Sequence, residues 1–163
     1  MTFFRSLSAA GFAATAISYG PARMGFGLFV PEFKAAFDLS TASVGLISSL
    51  GFAGFFVGLL VAQQLLDRRG PMAPVLAGMG AATLGLAVVA MAPTAPVLAL
   101  GVFTAALSAG YAWTPFNDAV HRKVRGVDRP TALSEISTGT SVGIATTGGI
   151  AVSMVLFGLD WRL

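Results

Sequence analysis

The chain has 163 residues, of which 10% are charged and 55% hydrophobic, with a mean hydropathy of +0.80. A soluble domain carries about 25% charged residues, so this chain could not cover a water-facing surface, and a soluble monomer is excluded. Ten Lys and Arg stand against seven Asp and Glu, and the isoelectric point is near 10.0, a balance that would suit nucleic acid if the positions of the charges did not argue otherwise.

Uncharged runs cover residues 6–22, 39–66, 70–117 and 136–159. An apolar run of about 18 or more residues reads as a membrane span. The run 70–117 is too long for one span: at 1.5 Å per residue it would make about 70 Å of helix, over twice the hydrocarbon thickness. Pro93 and Pro96 break it into two. The expectation is therefore an all-α membrane protein, a bundle of five transmembrane helices near 7–30, 41–66, 72–92, 95–117 and 131–158. The runs are too long and too continuously apolar for the short alternating strands of a barrel.

The first span contains Tyr19, Gly20, Pro21, Arg23, Gly25 and Gly27. Arg23 and Tyr19 are four apart and share a helix face. A charge at mid-membrane is costly and is tolerated when it faces a bundle interior, water or a counter-ion. Arg23 is thus read as a cavity cation for an anionic or hydrogen-bonding solute, against the plainer reading that it snorkels or pairs structurally. An amphipathic connection, 31–40, leads to Ser40, which suits the N-cap of the second helix. That helix ends at Asp67, Arg68, Arg69 and Gly70, with Gly70 suited to a helix C-terminus and Pro71 to the next helix start. The fourth span ends in Tyr111, Trp113, Pro115 and Asn117, candidates for cavity lining or for packing. Paired Gly/Pro interruptions in spans one and four point to a transporter cavity. The polar connection 121–129 holds His121, the only histidine, with no ligand set around it, and Pro130 opens the fifth span. Glu135 suits the positive end of that helix. The spacing of Gly139 and Gly143 is of the kind that lets helices pack closely. Trp161 and Arg162 follow as an interfacial anchor.

Seven of the ten basic residues, Arg5, Arg68, Arg69, Arg122, Lys123, Arg125 and Arg129, fall in segments expected on one side of the membrane. By the positive-inside rule that side, and the N-terminus, is cytoplasmic. The basic excess follows topology, and no nucleic-acid partner is expected. With no cysteine and no catalytic or phosphate-binding motif, the chain is expected to be no enzyme, to use no cofactor and to hold no metal.

Asp67, Arg68, Arg69 and Gly70 between spans two and three resemble the signature loop of the major facilitator superfamily. So do the Arg in span one followed by Pro31 at its outer end, the Gly-rich second span, and the closing Asp160, Trp161 and Arg162. The departures are Gln63 where the family usually has Gly, Pro71 and Met72 where basic residues usually follow, the absence of the common Arg in span four, and Gly148 and Gly149 out of step with the antiporter motif. The resemblance implies the N-terminal portion of a twelve-helix fold: an incomplete bundle, 1–163, of a secondary transporter that moves a small solute by alternating access. It implies a substrate cavity drawing on Tyr19, Arg23, Tyr111, Trp113 and Asn117, and a cytoplasmic gating loop of Asp67, Arg68, Arg69 and Gly70. The expected partners are a small, anionic solute, the lipid bilayer, and C-terminal helices that this chain lacks. The expected location is a cell membrane of the bacterial inner-membrane kind. The competing reading is a non-transporting helical scaffold or assembly protein.

Overall fold

The computed structural model describes residues 3–162. Helix α1 (Phe3–Tyr19) runs through a π turn (Gly20–Met24) into the short α2 (Gly25–Leu28), and α3 (Val30–Phe37) follows. Then come α4 (Thr41–Arg69), α5 (Met72–Ala90), α6 (Ala95–Lys123), a 3-10 turn (Gly126–Asp128) and α7 (Arg129–Phe157). Four helices, α4 to α7, are long and apolar enough to cross a membrane. Helix α1 has 17 residues, and the π turn and α2 carry its helical path on to Leu28.

Local chemistry sets the boundaries. Ser40 holds an extended backbone and its hydroxyl accepts the Ser43 N–H at 3.1 Å, the N-cap that starts α4. Gly70 ends α4 with φ of 76°, a backbone that a side chain would strain. Helices α4 and α6 both outrun the expected spans, to Arg69 and Lys123. Their last turns are polar but still helical: Gln63 Nε2 donates to Asp67 Oδ1 at 3.1 Å, and Arg122 Nε donates to Asp118 Oδ1 at 2.7 Å. The basic residues of these turns also sit at the negative end of each helix dipole.

The two proline-marked spans differ. Pro21 has no N–H to give to the preceding turn and its ring crowds that turn's carbonyl; the chain widens into the π turn there. Pro115 lies inside α6, fully buried, and α6 stays one α-helix from Ala95 to Lys123. The expected interruption of span four is therefore absent, and the echo between the two spans does not extend to their backbones.

Helix α6 is the centre of the bundle, with α4 and α5 packed along it, while α1 packs along α7 and also reaches α6. Small residues make these contacts possible. A Cβ at Gly143 of α7 would collide with the Ala16 carbonyl of α1, and one at Gly58 of α4 with the Leu107 carbonyl of α6. The Thr15 hydroxyl donates across the α1–α7 contact to the Ile136 carbonyl at 2.7 Å. One end of the bundle gathers Leu7, Val75, Val120, Val124 and Ala132. The other gathers Phe26, Phe33, Leu39, Ala92 and Leu98, with Trp161. Trp161 meets Phe33 edge-on at 4.9 Å, and Arg162 stacks on Trp161 at 4.1 Å. The expected interfacial anchor thus folds back onto α3.

Candidate functional site

Arg23 sits in the π turn, and its guanidinium carbon lies 4.1 Å from the ring centre of Phe55, 5.3 Å from Tyr19 and 5.6 Å from Phe52. The Tyr19 ring meets Phe55 edge-on, with centroids 6.3 Å apart and planes at 69°. Phe55 is the middle residue of the 29-residue α4, fourteen positions from Thr41 and fourteen from Arg69. At 1.5 Å per residue the cation is about 21 Å from either helix end, deep in the apolar span.

A cation at that depth costs about 2.5–3.5 kcal/mol on insertion scales. Each desolvated aromatic face returns about 0.5–2 kcal/mol, so three rings around one guanidinium offset a large part. Phe52 and Phe55 offer the guanidinium no hydrogen-bond acceptor. Among the described residues the ion pairs are Arg122–Asp118 and Arg125–Asp128, both at one end of the bundle, and Arg23 is in neither. The arrangement can therefore hold a cation among aromatic rings with no carboxylate beside it among the described residues. Phe52 is 63% exposed beside it.

The five cavity candidates do not form one site. Tyr19 and Arg23 come together. Tyr111 turns toward α5, where its Cβ lies 2.9 Å from the position a Cβ would take at Gly78. Trp113 and Asn117 line a polar pocket of about 330 Å³ with Gln63, Asp118, His121 and Arg122, at the basic end of the bundle. The expected gating loop is in fact the last turn of α4: Asp67 is held by Gln63 one turn earlier, Arg68 and Arg69 are exposed, and Gly70 ends the helix. Gly70 and Pro71 face Asp118 and Arg122 across a cleft of about 260 Å³.

A larger cavity, about 480 Å³, lies elsewhere, against the π turn, where Pro21, Ala22, Leu86, Val102, Thr147 and Met154 line it. Neither Tyr19 nor Arg23 is part of it. Sequence reading missed Phe52 and Phe55 as partners of Arg23. The available signal was their spacing of three, which puts both rings on one face of α4.

A family model described as Major Facilitator Superfamily matches residues 8–163. The chain belongs to the major facilitator superfamily. The match takes in the π turn, the α4–α5 loop and the closing Trp161 and Arg162 together. Superfamily membership makes this a multi-pass membrane protein of the secondary-transporter class, which carries small solutes across a bilayer. No curated protein and no solved structure matches the chain.

Proposed function

We propose that this superfamily chain supplies the first five membrane spans of a twelve-helix carrier, and that the carrier moves a small anionic solute by alternating access, driven by an ion or solute gradient. Residues 1–163 would then be an incomplete N-terminal bundle, with α1 and its π turn as the first span and α4 to α7 as the next four. The observation that carries the reading is Arg23, a cation in the π turn that has no ion-pair partner among the described residues and is held by three aromatic rings, Phe55 among them at the middle of α4. In a lipid-facing helix such a charge would be expelled or neutralised; in a solute pathway it is a binding group.

The charge distribution supports a cytoplasmic N-terminus in a cell membrane of the bacterial inner-membrane kind, with the basic end of the bundle inside. Asp67, Arg68, Arg69 and Gly70 would gate that end, with Asp67 meeting a helix N-terminus of the other half. Such a contact contributes about 0.3–1 kcal/mol, enough to bias two states of similar energy. Trp113 and Asn117 would line the inner mouth of the pathway, and Tyr111 would support it from the α5 side.

The test is uptake of radiolabelled organic anions by cells expressing the complete reading frame. Arg23→Ala, at parental expression, is expected to abolish uptake; parental uptake by that variant refutes the assignment. A reading frame with no spans beyond these five would refute the twelve-helix part alone.

A further inference from the structure

We infer that the basic end of the bundle seats the headgroup of one anionic phospholipid, in the cleft between the α4–α5 turn and the last turns of α6, with an acyl chain along the exposed face of α5. The inference is independent of the role proposed for Arg23.

The first observation is the charge of the cleft. Its space of about 260 Å³ lies between Gly70 and Pro71 on one side and Asp118, Ala119, Arg122 and Lys123 on the other. Asp118 is the one acid there, and Arg122 Nε already donates to it at 2.7 Å. Lys123 has no ion-pair partner among the described residues, so the cleft is net positive. Arg68 and Arg69, both exposed, precede Gly70 and add to that charge. Pro71, Arg122 and Lys123 are exposed as well, so the cleft opens on the bundle surface. A phosphodiester brings one negative charge and acceptor oxygens, which suit an ammonium and the free donors of a guanidinium. Basic clefts between membrane helices select anionic headgroups in this way.

The second observation says why the anion is a lipid. Met72, next to Pro71, begins a row of positions four apart on α5: Met72, Leu76, Gly80 and Leu84. Met72, Leu76 and Leu84 are 66%, 64% and 64% exposed, while Gly78, Ala82 and Gly85 on the other face of α5 are buried. Gly80 is exposed, with no atom within 4 Å of its would-be Cβ, which leaves a gap in the middle of the row. From Met72 to Leu84 the row rises about 18 Å, close to the hydrocarbon depth of one leaflet, about 15 Å. A lipid tail covers such a row in any bilayer, and the basic cleft at its head selects which lipid. A free phosphate gains nothing from the row. A zwitterionic lipid brings its own cation to a cleft that is already positive.

The experiment is native mass spectrometry of the full chain released from detergent micelles, with phosphatidylglycerol, phosphatidylcholine and phosphatidylethanolamine of identical acyl chains at equal concentration. One phosphatidylglycerol is expected to be retained, at least about fivefold over either zwitterionic lipid. Lys123→Gln is expected to lower its retention about fivefold, the effect of one basic residue beside an anionic lipid, and to leave phosphatidylcholine unchanged. Lys34→Gln removes an exposed cation on α3, at the other end of the bundle, and is expected to change nothing. Equal retention of the three lipids, or an equal loss with Lys34→Gln and Lys123→Gln, overturns the site. Displacement of phosphatidylglycerol by equimolar inorganic phosphate overturns the lipid assignment in favour of a free-anion site. The lipid comparison on the parent chain decides the headgroup class even if a variant fails to fold.

Discussion

Replacing Gly143 by alanine places one methyl group in the contact between α1 and α7. The new Cβ would stand 2.7 Å from both the Cα and the carbonyl carbon of Ala16, and nearer still to the carbonyl oxygen. These are backbone atoms and cannot rotate away. Carbon–carbon contacts are most favourable at about 3.5–4.0 Å, so the helices must separate by about 1 Å. Overpacking of this kind costs about 1–3 kcal/mol. Separation also stretches the 2.7 Å bond from Thr15 to the Ile136 carbonyl, and such interhelical bonds contribute about 0.6 kcal/mol on average in membranes. The expected loss is therefore about 1–3 kcal/mol, with the hydrogen bond a minor part. Gly148, five residues further along α7, has no atom within 4 Å of its would-be Cβ. Alanine there gains helix propensity, about 0.8–1 kcal/mol on soluble scales, so Gly148→Ala should be neutral or stabilising. The assay is unfolding by dodecyl sulfate in mixed micelles, followed by circular dichroism. Equal midpoints for the two variants, or a Gly143→Ala midpoint at the parental value, would refute the close-packed α1–α7 contact.

Ser40→Ala removes the hydroxyl that accepts the Ser43 N–H; a loss of about 1 kcal/mol is expected, read in the same assay, with faster amide exchange in the first turn of α4. Trp161→Ala removes the ring packed on Phe33 and Phe37; it should speed proteolysis within 30–37 without lowering the unfolding midpoint of the bundle by a comparable amount. An unchanged cleavage rate would mean that Trp161 does not hold α3.

Much of the architecture was legible in hydropathy alone, because span length is set by bilayer thickness and each long uncharged run has few other options. The chain breaks at Pro93 and Gly70 were legible for the same kind of reason, since proline and glycine act locally. Helix ends were less so: the polar turns to Arg69 and Lys123 look like loop in a hydropathy reading, yet side-chain pairs within the helix keep them helical. Pro21 and Pro115 looked alike in sequence. Only the packing around each tells them apart, for Pro21 lies where α1 meets α7 through Gly20 and Gly143, and Pro115 is itself fully buried toward the C-terminal end of α6. At the candidate site, Arg23 stood out because a charge in a span is rare. Its ring partners on α4 did not, because nothing in one sequence says which faces of two separate helices meet. The same limit explains Tyr111, whose spacing to Trp113 and Asn117 could not reveal that it turns toward α5.

The central claim is that Arg23 faces a solute pathway rather than lipid, and the chain's lack of cysteine permits a direct measurement. Single cysteines at Arg23, at Phe52 beside it and at Leu156, a 76% exposed residue near the end of α7, are exposed to a charged, membrane-impermeant thiol reagent in reconstituted vesicles of the complete carrier. The account predicts that Arg23→Cys and Phe52→Cys react, while Leu156→Cys stays unlabelled in lipid. Labelling at positions 23 and 52 no faster than at 156 would contradict it.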